Sequence, residues 1–241
     1  MIEGLPGYIS PLFIATTFLT VGIFFYAVRS SGSEKGPANA ALFLTAFGLV
    51  FVMSLSLSGF YLATDSTPPR IVLFGILPSV LLIAAFFAFF RENFIERLSL
   101  RTLTLIHVIR VPVEIVLFLL YREGYIPHVM TFEGRNFDIL AGLTAPVVYY
   151  LAFHTRLNSR SLLIGWNLAA FGLLANIVTT AALSIPSPIQ QISFDQPNRA
   201  VLYFPFAWLP AIIVPIVLFC HFTSLYKLIR RTTQDRASYN F

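Results

Sequence analysis

Seven apolar runs of about 20 residues constrain this 241-residue chain more than any other feature; they fall at 9–28, 39–64, 71–90, 102–121, 137–154, 161–184 and 200–226. In lipid a backbone must satisfy its own hydrogen bonds, so such runs predict helices. The connectors between them are short and turn-rich or charged, for example RSSGSEKGPAN, DSTPPR and SIPSPIQQISFDQPNR. None is long enough for a soluble domain. Composition agrees: 57% of residues are hydrophobic, 11% are charged, and Phe occurs 25 times. A soluble domain of this size cannot hide that much apolar surface in one core. The expected fold is all-α, a polytopic membrane bundle of seven transmembrane helices forming one domain over 1–241, with a short cytoplasmic tail at 227–241.

Charge gives an orientation. Arg29, Lys35, Arg91, Arg97, Arg101, Arg156, Arg160, Lys227, Arg230, Arg231 and Arg236 fall on one side, whereas Arg70, Arg122, Arg135 and Arg199 fall on the other. By the positive-inside rule the first set is cytoplasmic, which places the N-terminus outside and the C-terminus inside. The net charge of +5 is therefore explained by short loops facing the cytoplasm, and no nucleic-acid partner is expected. The lone Cys220 lies in an apolar run, which excludes disulfides and thiolate clusters. Met1 to Tyr8 carries no Lys or Arg ahead of the first run, so no cleavable leader is expected.

A duplicated three-helix unit is the next expectation. LTAFGLV at 44–50 matches LAAFGLL at 168–174 at five of seven positions. DSTPPRIVLF at 65–74 aligns with DQPNRAVLY at 195–203 after one gap, and Leu-Pro pairs follow at Pro78 and Pro210. Three helices, a linker helix and three more make a parallel repeat whose axis runs along the membrane normal, with a cavity between halves. This 3+1+3 plan resembles that of SWEET-type sugar transporters and PQ-loop proteins in architecture only. No Pro-Gln pair is present, and the last span has no mid-membrane Lys for a retinal Schiff base.

The fourth span carries the strongest chemical signal. Thr104, His107, Arg110, Glu114 and Tyr121 fall within one arc of about 120° at helical spacing. Arg110 and Glu114 stand i, i+4, near enough to meet, although Pro112 between them should bend the helix. Two charges near a helix centre cost roughly 5–7 kcal/mol, about what the apolar residues return. The helix should therefore insert only among neighbours, at the centre of the bundle. The pair reads either as a packing ion pair or as part of a gate, relay or solute anchor.

Other intramembrane polar residues are Asp138, followed on one face by Gly142, Ala145 and Tyr149, and Asn176 with Thr179 and Thr180. Asn167 points about 180° from Asn176, so the two should not share a site. Pro205, Pro210 and Pro215 should kink the last span and free carbonyls near mid-membrane. His107 and His221 fall at similar depth, so a bis-histidine haem is one reading among several. No metal site, H-E-x-x-H, nucleophile elbow or phosphate loop is found.

The stretches RVPVE (110–114), MTFEGRNFDILAGLTAP (130–146) and FDQPNRAVLYFPFAWLP (194–210) resemble an uncharacterised bacterial membrane-protein family. The resemblance implies a bacterial inner (plasma) membrane and brings no activity or cofactor. The candidate ligand residues are thus Arg110, Glu114, His107, Asp138 and Asn176, binding or translocating a small polar or amphipathic solute within the lipid bilayer. Two alternatives stand beside this: an intramembrane lipid-modifying enzyme using Glu114, Asp138 and His107, and a structural or accessory subunit, with haem binding as one form of it.

Overall fold

The computed structural model describes residues 2–155 and 159–238. Seven helices and no strand occur among the described residues. They are α1 (Ile9–Arg29), α2 (Lys35–Leu57), α3 (Val72–Phe89), α4 (Leu100–Arg122), α5 (Ile139–His154), α6 (Ser159–Leu183) and α7, which starts at Leu209 and runs to Ser238. Six are long and apolar enough to cross a membrane, which marks a multi-pass membrane protein. The exception is α5: its 16 residues rise only about 24 Å, short of a hydrocarbon core of about 30 Å.

Element boundaries follow Pro and Gly. α2 begins four residues before the expected 39, because Pro37 sits in its first turn, where a missing N–H costs nothing. It stops at Leu57 instead of 64, since Gly59 adopts φ +74° just past its end. The largest departure is the last span, expected from 200. Residues 200–202 form only a 3₁₀ turn, and the continuous helix begins at Leu209. Pro205 and Pro210 remove the N–H groups that would have joined the two.

Prolines also reshape the helix interiors. α4 is interrupted by a 3₁₀ turn at Ile106–Ile109, where Pro112 denies the Val108 carbonyl its usual donor. α3 and α7 each open with a five-residue π-turn, Val72–Ile76 and Leu209–Ile213. Each π-turn is followed two residues later by proline, Pro78 and Pro215. Pro215 frees the Ala211 carbonyl, and Ser79 Oγ from α3 donates to it at 2.7 Å. The freed carbonyl expected in the last span is thus satisfied by a neighbouring hydroxyl, as a lipid environment demands.

Packing divides the bundle. α4 and α7 lie at its centre, buried along most of their length, as the polar stripe of α4 requires. α5 crosses α4 closely at Gly142: a Cβ there would stand 2.8 Å from Val111 Cγ2 and 3.2 Å from Arg110 Cβ. α2 and α3 lie at the periphery and scarcely touch each other, each resting on the π-turn of α7.

Candidate functional site

The 3₁₀ turn in α4 has three residues per turn, so His107 and Arg110 stand one above the other and face α7. Arg110 is 2% exposed and fans out to three helices. Its Nη1 donates to Asp138 Oδ1 at 2.8 Å, at the N-terminus of α5, and to the Ala170 carbonyl of α6 at 3.0 Å. Its Nη2 donates to His221 Nε2 of α7 at 2.6 Å. A guanidinium has no acceptor, so His221 must carry its proton on Nδ1. That nitrogen donates to Asn167 Oδ1 at 3.0 Å, and Asn167 Nδ2 closes the chain on the Leu163 carbonyl at 2.8 Å.

The expected Arg110–Glu114 pair is not what forms. Arg110 pairs with Asp138, and Glu114 is held by Asn136, whose Nδ2 lies 2.6 and 2.7 Å from its two carboxylate oxygens. The 3₁₀ turn that ends just before Arg110 and the close approach of α5 at Gly142 bring Asp138 to the guanidinium instead. Asn136 links the Glu114 carboxylate to the Asp138 backbone: its Nδ2 also reaches the Met130 carbonyl at 3.0 Å, and its Oδ1 accepts the Asp138 N–H at 3.1 Å. Arg110, Glu114, His107 and Asp138 thus converge, while Asn176 stands apart and donates to the Arg135 carbonyl at 2.9 Å. Asn136, Asn167 and His221 complete the cluster.

His107 has a different environment. Its ring lies 4.2 Å from that of His221 at 30°, and its edge meets Trp166 at 5.2 Å. Neither of its ring nitrogens has a hydrogen-bond partner among the described residues. The two imidazoles do not suit a haem: they stack face to face, whereas shared axial ligation needs one nitrogen of each aimed at a common iron. Both nitrogens of His221 are also engaged. No group of three or more His, Cys, Asp or Glu suited to a metal occurs among the described residues. The carboxylates and His107 are at most 5% exposed, so the cluster is packed interior.

A cavity of about 620 Å³, open along one side where Phe47, Phe74 and Leu81 are exposed, lies on the other side of α7, between α2, α3 and α7. Ile216 and Phe219 line it, roughly opposite His221 on the same helix. Its walls are apolar: Phe47 and Phe51 on α2, Leu82 and Phe86 on α3. The two hydroxyls in its lining are already committed, Thr45 Oγ1 to the Ala41 carbonyl at 2.8 Å and Ser79 Oγ to that of Ala211. None of the five candidate ligand residues lines it.

A family model matches residues 67–229, more than half of the chain. The chain belongs to the family described as a domain of unknown function, DUF8737. No curated protein and no solved structure matches it. The matched stretch holds every member of the Arg110 cluster, and the α2 wall of the cavity lies outside it.

Proposed function

We propose that this DUF8737 chain is a seven-span protein of a bacterial inner membrane that holds the chain of an amphipathic, lipid-like molecule between α2, α3 and α7. The cavity carries this reading. Its volume of about 620 Å³ is that of a small-molecule site, and its lining offers no free hydrogen-bonding hydroxyl. Along α3 it runs from Phe74 to Phe86, about 18 Å of helix, close to the depth of one leaflet. An extended alkyl chain fits such a space better than a compact polar solute.

The Arg110 cluster fits the same proposal as the fixed polar centre on which α4 to α7 register, because the Arg110 Nη groups, Asp138, Glu114, Asn136, Asn167 and His221 bond one another and the backbone. A polar-solute or proton site beside Arg110 draws its support from the His107 ring nitrogens and Arg110 Nε, which lack hydrogen-bond partners among the described residues. The orientation with the N-terminus outside rests on the positive-inside count. The 3+1+3 repeat is supported by the matching π-turns, in a register that pairs Pro78 with Pro215, not with Pro210.

The test is binding of a long-chain alcohol with a fluorescent tip to purified protein. Ala85→Trp, which fills the cavity wall, should weaken binding at least tenfold while leaving the thermal midpoint within a few degrees. Unchanged binding in a folded Ala85→Trp protein would place the chain elsewhere.

A further inference from the structure

A separate polar pocket lies near one end of the cavity. α3 ends at Phe89, and beyond it Ala88, Phe89, Arg91, Glu92 and Asn93 line a second pocket of about 200 Å³. Phe94, the next residue, lines the apolar cavity itself. The N-terminus of α2 reaches the same place, because the Glu34 N–H donates to the Asn93 carbonyl at 3.4 Å. Four charged side chains therefore gather at this rim, Glu34 and Lys35 on α2 and Arg91 and Glu92 past α3. All four are exposed, and none makes an ion pair or side-chain hydrogen bond among the described residues. Arg29, close by, is already engaged with Asn39 Oδ1 at 2.9 Å.

Depth and charge agree. Lys35 lies about 9 Å along α2 from Ala41, the first α2 residue of the cavity wall, and long basic side chains carry their heads to the interface. A chain lying in the cavity thus brings its polar end to this rim. Two free cations and two free carboxylates suit a headgroup that carries both signs.

We propose that the occupant is a phospholipid with a phosphate and a primary ammonium, its chain in the cavity, its phosphate at Lys35 and Arg91, and its ammonium at Glu34 and Glu92. The proposal rests on the chain-binding reading of the same cavity and adds the headgroup and the leaflet, the one on the Arg91 side.

The experiment compares three lipids with the same fluorescent-tipped chain: phosphatidylethanolamine, phosphatidylglycerol and headgroup-free diacylglycerol. Each is titrated into the purified full-length protein. The wild type should bind phosphatidylethanolamine about tenfold tighter than diacylglycerol and severalfold tighter than phosphatidylglycerol. Lys35→Gln with Arg91→Gln should erase the gain over diacylglycerol and leave diacylglycerol binding unchanged. Glu34→Gln with Glu92→Gln should erase the preference over phosphatidylglycerol. These exposed positions leave folding intact, which thermal unfolding checks. Equal binding of all three lipids by the wild type overturns the headgroup assignment while the chain site stands. Equal loss of all three in Ala85→Trp upholds the chain site; no loss in that variant removes it and this proposal together. A cavity filled by a second copy of the chain appears as a dimer that Ala85→Trp dissociates, and this too overturns the proposal.

Discussion

Asp138→Asn is the perturbation that most sharply separates the observed cluster from the pairing expected in the sequence. Asp138 Oδ1 sits 2.8 Å from Arg110 Nη1, with both side chains almost wholly enclosed. The substitution keeps the shape of the side chain and removes the charge that compensates a buried guanidinium. Breaking a buried pair in this way costs about 3–5 kcal/mol. For a protein of this size that corresponds to a fall in thermal midpoint on the order of 6–20 °C. Glu114→Gln is the control. It preserves an acceptor for Asn136 Nδ2 and leaves Asp138 on Arg110, so its cost should be about 1–2 kcal/mol. Replacing Arg110 and Asp138 together by Met and Leu should recover most of the Asp138→Asn loss. His221 Nε2 and the Ala170 carbonyl then lack a donor, which retains about 1–2 kcal/mol of it. The assay is thermal unfolding in detergent for the four proteins. If Glu114→Gln unfolds as early as Asp138→Asn, the charge on Arg110 is balanced by Glu114, and the assignment of the pair is wrong.

Gly142→Ala would place a Cβ 2.8 Å from Val111 Cγ2 and 3.0 Å from Val111 N, so α5 must retreat from α4; an unfolding curve should show a loss of about 1–3 kcal/mol. Ser79→Ala should cost about 1 kcal/mol in the wild type and close to nothing in a Pro215→Ala background, where a restored N–H takes the Ala211 carbonyl; a double-mutant cycle measures the difference. Cysteine introduced at Ser187 should react with an impermeant thiol reagent applied from outside, and cysteine at Ser159 should not; the reverse pattern contradicts the orientation.

Much of the scaffold is legible in the residues. Apolar runs locate all seven helices, because lipid admits little else, and the polar stripe of α4 places that helix at the bundle centre. Proline positions mark where regular α-helix gives way, at Ile106–Ile109 and before Leu209. The way Pro78 and Pro215 combine with preceding π-turns is not foretold, since a π-turn leaves no compositional mark. The cluster is half legible. Arg110, Glu114, His107 and Asp138 are marked by their cost in lipid, and Gly142 signals a close helix contact. Their partners are not, because Asn136 and Asn167 are cheap enough to occur as simple packing residues, and i, i+4 spacing favours a Glu114 pair where Asp138 and Asn136 supply the partners instead. The repeat reading expects a cavity between halves, but nothing in the sequence marks the walls of this one. It arises because α2 and α3 rest on α7 without meeting, a long-range relation that periodicity does not encode.

The central claim is an alkyl chain in the cavity between α2, α3 and α7, and photolabelling in a native-like bilayer tests it most directly. A trace of phospholipid with a diazirine midway along its acyl chain is incorporated, irradiated, and the adducts are mapped by peptide mass spectrometry. Adducts should concentrate on the cavity-lining residues of 41–52, 74–86 and 211–219, above all at Phe47, Leu82 and Phe86. The exposed face of α5, with Leu143, Val147 and Tyr150, serves as the measure of bulk lipid contact. Adducts spread equally over α5 and the cavity walls would contradict the account, since a chain merely solvating the bundle labels every lipid-facing helix alike.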